Sequence, residues 1–457
     1  MKLTHLNINY LLWGKLMNSH SAEIIQITGE IDFKRLQEAI AIAVDKQPIL
    51  KCCIKPRLFG YDWEPLAEGT PISVERCDYS ALSELEVKDK IATHTWCRKA
   101  DFTKERLVRF YLIYTGDDKY YLQSVSHHAS ADAQSGFILF KDIAKIYTGL
   151  THSHAVDRSE YIVKRRDVGR VYLDKLPFTQ RVKIFCRGIK AFLSKPGFQV
   201  TGLNLPDPKE EATRSIYSDA LPDDMLGKLK KAAKHYNTSV HVLFVLAMMK
   251  YQHKFNHDCE RLGFQLLDVL TMRQFSDEDV SMSYDAFSIN HFKDFNTNKS
   301  EIEIIKDITD YITGLKDGKI FEDWYQQKLW VGAFLVLPPF LRAKYVSSVL
   351  DDKLRGNMLI SNLGVFNFDS YEFGNSEVTD FFSFPNVGGP LRLGFFFCTF
   401  RGRLKLTLVY DSRCFTEPMK KVVVEPFTEI LNEICSVVEQ PKTSTSSSKK
   451  ALLEEGV

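Results

Sequence analysis

Two runs rich in β-forming residues lie back to back in this chain. LVRFYLIY starts at Leu107, and DDKYYLQSVS runs from Asp117 to Ser126. Asp117-Asp118 marks a turn between them. The turn is short, so an antiparallel hairpin is the simplest arrangement. The N-terminal part supplies other elements. SAEIIQITG reads as a strand ending at Gly29. Asp32 can cap a helix whose Phe33, Leu36, Ile40 and Ala43 form one apolar face. LKCCI follows as a short strand, and Ser83 to Trp96 as a helix.

The stretch from about Thr151 to Arg214 is softer and more basic, and it marks a crossover between two halves. Beyond it, LPDDMLGKLKKAAKHY is helical, with Asn237 ending the helix. Ser239 to Tyr251 is almost wholly apolar yet too short to span a bilayer, so it reads as a helix buried on most sides. Met248 and Met249 in it are core filler. Ser300 and Glu303 form a capping box for a helix to about Leu315. NMLISNLGVFNF reads as a strand and turn broken at Gly364. RLKLTLVYD alternates strictly, with Leu404, Leu406, Leu408 and Tyr410 on one face. KVVVEPFTEILNEICSVVEQ closes as a helix. The expected organisation is an N-terminal lobe over 1–175, a C-terminal lobe with the crossover over 176–440, and a disordered tail over 441–457.

Charge and cysteine content exclude several functions. Sixty Lys and Arg balance 58 Asp and Glu, a net charge of +2. That is not a strongly basic nucleic-acid binder. Nine cysteines without CxxC spacing fit neither a disulfide framework nor a zinc ribbon. The longest apolar stretch, Leu329 to Leu341, is short and contains Pro338-Pro339, so no membrane span is expected. The first twenty residues carry polar positions inside their apolar pattern and read as no signal peptide. A cytoplasmic protein is expected.

The chemistry concentrates in SHHASADAQS, just after the second hairpin strand. Adjacent histidines on an extended segment point in opposite directions, so only one of His127 and His128 can face a given cleft. The segment then turns, and Asp132 can come back beneath one imidazole or lock the loop onto the scaffold. A neutral imidazole near pH 7 can take a proton from a hydroxyl, amine or thiol. Ordinary buried histidines and a metal site are the competing readings, but no HExxH or third clustered ligand stands nearby. There is no GxSxG, GxGxxG or P-loop. PNVGGPLRLG, from Pro385, reads as turns near a cleft. Without a nucleophile elbow, direct transfer is favoured over a serine acyl-enzyme.

HHASADA resembles the HHxxxDG motif of the CoA-dependent acyltransferase superfamily. That superfamily includes chloramphenicol acetyltransferase, alcohol and polyketide-associated acyltransferases, plant hydroxycinnamoyl-type enzymes, and the condensation domains of nonribosomal peptide synthetases. KQPILKCCI, RLVRFYLI, SNLG (Ser361–Gly364) and GRLKLTLVYDSRCF resemble further segments of the superfamily in the same order. The resemblance covers roughly Gly29 to Val438. Ala133 departs from the motif's glycine, and Lys46-Gln47-Pro48 stands where condensation domains favour Arg-His-Glu. DFGWG is absent, which argues against the plant branch. SNLG tilts the reading toward free-standing alcohol or polyketide-associated acyltransferases.

The resemblance implies an α/β fold of two pseudo-symmetric lobes, each a mixed sheet with flanking helices, around a central channel. It implies transfer of an acyl group from CoA or a carrier-protein thioester to an alcohol or amine, with His128 as general base. A peptide-synthetase-type condensation between carrier-bound substrates is the alternative, and an inactive binding or scaffold role the third reading. Asp132 would hold the loop and pair with a basic residue. Arg109, Arg273 and Lys51 compete for that role, with Arg109 first because it lies in the neighbouring strand. His127 would pack away from the channel, and Asn362 would help shape it. The acyl thioester is a co-substrate, and no metal or other cofactor is implied.

Overall fold

The strand His20–Thr28 has hydrogen-bonded neighbours on both edges, and nearly every side chain along it is buried. It is the centre of the first of two mixed sheets. The computed structural model describes residues 2–13, 19–58, 60–96, 103–161, 168–194, 197–206, 214–257, 263–276, 279–385, 387 and 390–437. The first sheet runs, edge to edge, Glu372–Phe373, Ser376–Phe384, His20–Thr28, Lys119–His127, Val108–Tyr114 and Val74–Asp78. The expected hairpin is present: Val108–Tyr114 pairs antiparallel with Lys119–His127. Asp117 and Asp118 both adopt positive φ in its turn, a conformation that short Asp side chains tolerate. The helix Phe33–Asp45 begins at Asp32, whose carboxylate accepts from the Arg35 amide. It packs with Ala133–Thr151 on this sheet.

The second sheet is ordered Ser288–Phe295, Gly263–Thr271, Met358–Phe366, Leu393–Phe400, Arg403–Asp411 and Arg214–Ala220. Behind it lies Val240–Asn256, buried along most of its length, with Met248 and Met249 in the core as expected. Phe244 stacks on Phe397 with ring centroids 3.8 Å apart. The capping box of Ser300 and Glu303 is formed. The crossover contains two helices, Val168–Asp174 and Phe178–Leu193. The tail over 441–457 lies outside the described residues.

Two features differ from the sequence reading. Met358–Phe366 is not broken at Gly364. It continues through a register shift between Asn362 and Val365, and Gly364 takes φ +81° there. That is a bulge, which bends a strand without ending it. Second, Ser376–Phe384 lies late in sequence yet pairs with His20–Thr28. The second half of the chain thus contributes strands to the first sheet. Lys405, on the polar face of RLKLTLVYD, is buried, and it hydrogen-bonds Asp380 of this crossing strand.

Phe381 anchors the crossing strand. Its ring is fully buried and contacts Phe137 of the first lobe and Phe366 and Phe400 of the second sheet. Phe381→Ala should therefore lower stability by about 3–5 kcal/mol. Urea unfolding would show the loss as a shifted midpoint.

Candidate active site

Strand alternation decides which histidine is available. His127 ends its strand opposite His20, is buried, and meets the His20 ring edge-on at 5.5 Å. Its Nδ1 accepts the Ala129 amide at 3.1 Å. His128 faces the other way and lines a cavity of about 210 Å³. Its imidazole stacks on Tyr10 at 3.9 Å and 5°. Tyr10 is itself fixed by Ser288 Oγ, 2.6 Å from its hydroxyl. The His128 backbone amide donates to the Ser19 carbonyl at 2.7 Å, which ties the histidine loop to the segment leading into the central strand.

The cavity lies between the two sheets. Ser21, Glu23 and Ser383 line it from the first, and Val269, Asn290 and Asn362 from the second. Burial lowers the His128 pKa. Nearby backbone of His128 and Ala131 and the Asp132 charge oppose that effect without cancelling it. The imidazole is therefore neutral at pH 7. Its Nδ1 is buried and makes no well-formed hydrogen bond.

Asp132 does not line up behind the imidazole as a relay. It is the N-cap of Ala133–Thr151, in a capping box with Ser135. Its carboxylate accepts from the Ser135 amide at 2.9 Å, the Ser135 hydroxyl at 2.7 Å and the Phe287 amide at 3.1 Å. Its cationic partner is Arg273, at 2.9 Å. Burial raises the Asp132 pKa, but the Arg273 charge and these hydrogen bonds outweigh it, and the group stays ionised. Arg273 also donates to the Val280 and Ser283 carbonyls and lies over the Phe287 ring.

This corrects the first-ranked pairing. Arg109 is bonded to Glu105, four residues before it in sequence, and its charge acts on His20 instead. Lys51 pairs with Glu160 at 3.0 Å. Sequence proximity favoured Arg109, but Asp132 reaches across to the other lobe. Asn362 does line the cavity, and its Oδ1 accepts the Gly364 amide at 3.1 Å within the bulge. Ala133 sits as the first helical residue, with no positive φ, so the motif's glycine is not needed here. Pro385 and Leu391 of the glycine-rich run line the cavity, while Asn386, Gly388 and Gly389 lie outside the described residues.

Sequence reasoning passed over Tyr10 and Glu23. Glu23 is fully buried and lines the same cavity. Burial first, and the Asp132 charge second, raise its pKa well above the usual carboxylate range. A lone acid between Ala22 and Ile24-Ile25 in a central strand was the available sign. Among the described residues no group of three or more His, Cys, Asp or Glu could hold a metal ion. None of the seven described cysteines lines the cavity.

Asp132→Ala should destabilise the protein by about 3–5 kcal/mol, because Arg273 is left buried and unpaired. The double variant with Arg273→Ala should fall short of additivity by about 0.5–3 kcal/mol, and the double variant with Arg109→Ala should be additive within about 0.5 kcal/mol. Thermal and urea melts of the three single and two double variants measure both.

Buried histidines also set a pH dependence. His20 is pushed down to about 4 by burial and the Arg109 charge. His127 lies well below its usual range for lack of solvent, with His20 and His128 adding repulsion. Unfolded, these rings take up protons near pH 6.5. Stability is therefore full above about pH 6.5 and is lost as pH falls toward 4, at up to about 1.4 kcal/mol per pH unit for each ring. Glu23 acts oppositely. Its folded pKa is raised, so its contribution is full below about pH 4.5 and is lost as pH rises. Glu23→Gln should steepen the rise of stability between about pH 5 and 6 by about 1.4 kcal/mol per pH unit, read from urea melts across that range.

Comparison with known proteins agrees with this architecture. A Condensation domain family model matches residues 17–168. Tyrocidine synthase 2 of Brevibacillus parabrevis is 27% identical over 139 residues, which is 30% of this chain and 4% of that protein. The chain thus spans about 4% of the length of the curated relative it matches. The first condensation domain of the calcium-dependent antibiotic synthetase, in complex with a substrate analogue, superposes with a TM-score of 0.71 at 13% identity, covering 95% of this chain and 96% of that one. The epimerization domain from the third module of tyrocidine synthetase B gives 0.68 at 15% identity, covering 96% and 98%. The starter condensation domain of rhizomide synthetase, in complex with C8-CoA, gives 0.66 at 12% identity, covering 96% and 95%. No helix among the described residues is long and apolar enough to cross a membrane. The chain has the fold seen in condensation domains, a two-lobed α/β architecture of mixed sheets with flanking helices.

Proposed function

We propose that this chain joins two substrates by condensation, moving an acyl group from a thioester to an amine or hydroxyl to form an amide or ester. The observation that carries this reading is the neutral His128 imidazole in a cavity between the two sheets. The proposed donor is an acyl or peptidyl group on a carrier protein, and the acceptor is a second carrier-bound substrate. The matched family model and the solved condensation domains favour this over the free-standing alcohol acyltransferase that SNLG pointed to. A CoA donor is the second reading, favoured by the C8-CoA complex of the rhizomide synthetase domain. The lobes are read as dividing near residue 175, with 372–384 returning to the first.

In the proposed reaction the acceptor nitrogen or oxygen attacks the thioester carbonyl while His128 removes its proton. The carbon–sulfur bond then breaks, and the departing thiolate takes the proton from the imidazolium. Electrons and protons balance without a covalent enzyme intermediate. Tyr10 holds the imidazole plane by stacking, and Asp132 acts as a positioning residue by fixing the turn after the histidines against Arg273. His127 stabilises the strand end, and Asn362 shapes the opposite wall. An inactive scaffold role is disfavoured, because His128 and Asp132 are both retained and His128 is reachable from the cavity.

Intact-mass detection of product with a panel of carrier-protein and CoA donors and candidate acceptors tests the reaction class. With a turned-over pair in hand, His128→Ala should lower kcat by about 10²- to 10⁴-fold with the fold intact. His127→Ala should fail chiefly through a lowered melting temperature. A folded His128→Ala variant with near wild-type kcat would remove the general-base assignment.

A further inference from the structure

The cavity holds a polar cluster that the condensation step does not use. Glu23 is flanked in the sheet by Ser124 on one neighbouring strand and Ser383 on the other. Ser21 lies two residues along, on the same face of its strand. Both Glu23 carboxylate oxygens and the hydroxyls of Ser21, Ser124 and Ser383 are buried and make no well-formed hydrogen bond among the described residues. The Ser124 and Ser383 hydroxyls lie near enough to stabilise the carboxylate, but not in bonding geometry. Glu23, Ser21 and Ser383 all line the cavity wall. Room for the carboxyl is made by Gly136, where a Cβ would overlap the Glu23 carboxyl group.

An acid held this way opposes folding. A buried carboxyl without partners costs several kcal/mol if charged, and even neutral it forfeits hydrogen bonds made in water. An apolar residue would suit a central strand better. Arg273 does not relieve Glu23, because it is engaged by Asp132. His128 does not either, because burial keeps it neutral. A ligand that brings hydrogen-bond donors and positive charge would satisfy the whole cluster at once. An ammonium group has three donors, matching a carboxylate with hydroxyls around it.

We propose that Glu23, with the hydroxyls of Ser21, Ser124 and Ser383, is a subsite that binds the protonated amine at the end of a substrate side chain. The inference rests on the condensation reading and deepens it, by giving one of the two substrates a cationic side chain. Binding would convert Glu23 from the acid to the carboxylate, releasing its proton to solvent.

The test is isothermal titration calorimetry on the full chain with unreactive amide analogues of pantetheine-type thioesters. One set carries lysine and the other its uncharged isostere, 2-aminoheptanoate. Each is made with a free α-amine, as the acceptor, and with an acetylated α-amine, as the donor. In one of these two forms the lysyl analogue should bind about 10- to 100-fold tighter than its isostere. Binding of the lysyl analogue should release protons, read from the dependence of the heat on buffer. Glu23→Gln should abolish both the preference and the proton release while leaving isostere binding unchanged. Ser383→Ala, a smaller change, should reduce the preference partway and serves if Glu23→Gln folds poorly. Equal affinity for lysyl and isostere analogues in both forms, absence of lysyl binding, or a preference that survives Glu23→Gln would overturn the subsite. The analogues do not react, so a chain without condensation activity can still show the preference. Turnover without the preference would keep the reaction and remove the subsite.

Discussion

Asp132 keeps a negative charge in the interior at the point where the two lobes meet, and Arg273 makes that tolerable. The pair closes at 2.9 Å with both side chains buried. It is more than an isolated bridge, because the carboxylate also caps a helix of the first lobe and accepts the Phe287 amide of the second. Arg273 in turn holds the Val280 and Ser283 carbonyls. One ion pair therefore fixes the helix start, the turn after the histidines and the approach of the second lobe. Replacing it by apolar groups could match its stability, but would not hold these backbone groups in place.

Gln47 adds a second clasp between the halves. Its amide nitrogen donates to the Met282 carbonyl and its oxygen accepts the Tyr284 amide. Tyr284 reaches back to Ser126, two residues before His128, at 2.5 Å. The segment around residue 284 is thus bonded to the first lobe on both sides of the histidine loop. The position of His128 in the cavity is set by contacts distributed over both lobes.

The sequence carried the local elements well. Asp32, Ser300 and the Asp117-Asp118 turn have physical preferences that act within a few residues, and each is realised. The split between His127 and His128 follows from strand alternation alone. What was not readable is what depends on distant approach. The pairing of Ser376–Phe384 with His20–Thr28 spans most of the chain. Arg273 stands 141 positions from Asp132, so nearness in sequence pointed to Arg109. Glu23 was hidden because a single acid in an apolar strand is usually an outward-facing residue. Only a strand flanked on both sides, under a helix, makes it a buried one.

Two carboxyls line the cavity, and Arg273 serves only one of them. It pairs with Asp132, and the Asp132 charge then raises the cost of ionising Glu23. The Asp132 charge that orders the histidine loop thus adds to burial, the larger cause, in raising the Glu23 pKa. His128 stays neutral in the same surroundings because burial outweighs the Asp132 charge. A neutral imidazole and a carboxyl of raised pKa therefore line one cavity, each set by solvent exclusion first, with the Asp132 charge also acting. Moving that charge by altering Asp132 or Arg273 would shift both groups together, so the proposed proton transfer and the proposed substrate preference are coupled through one residue pair.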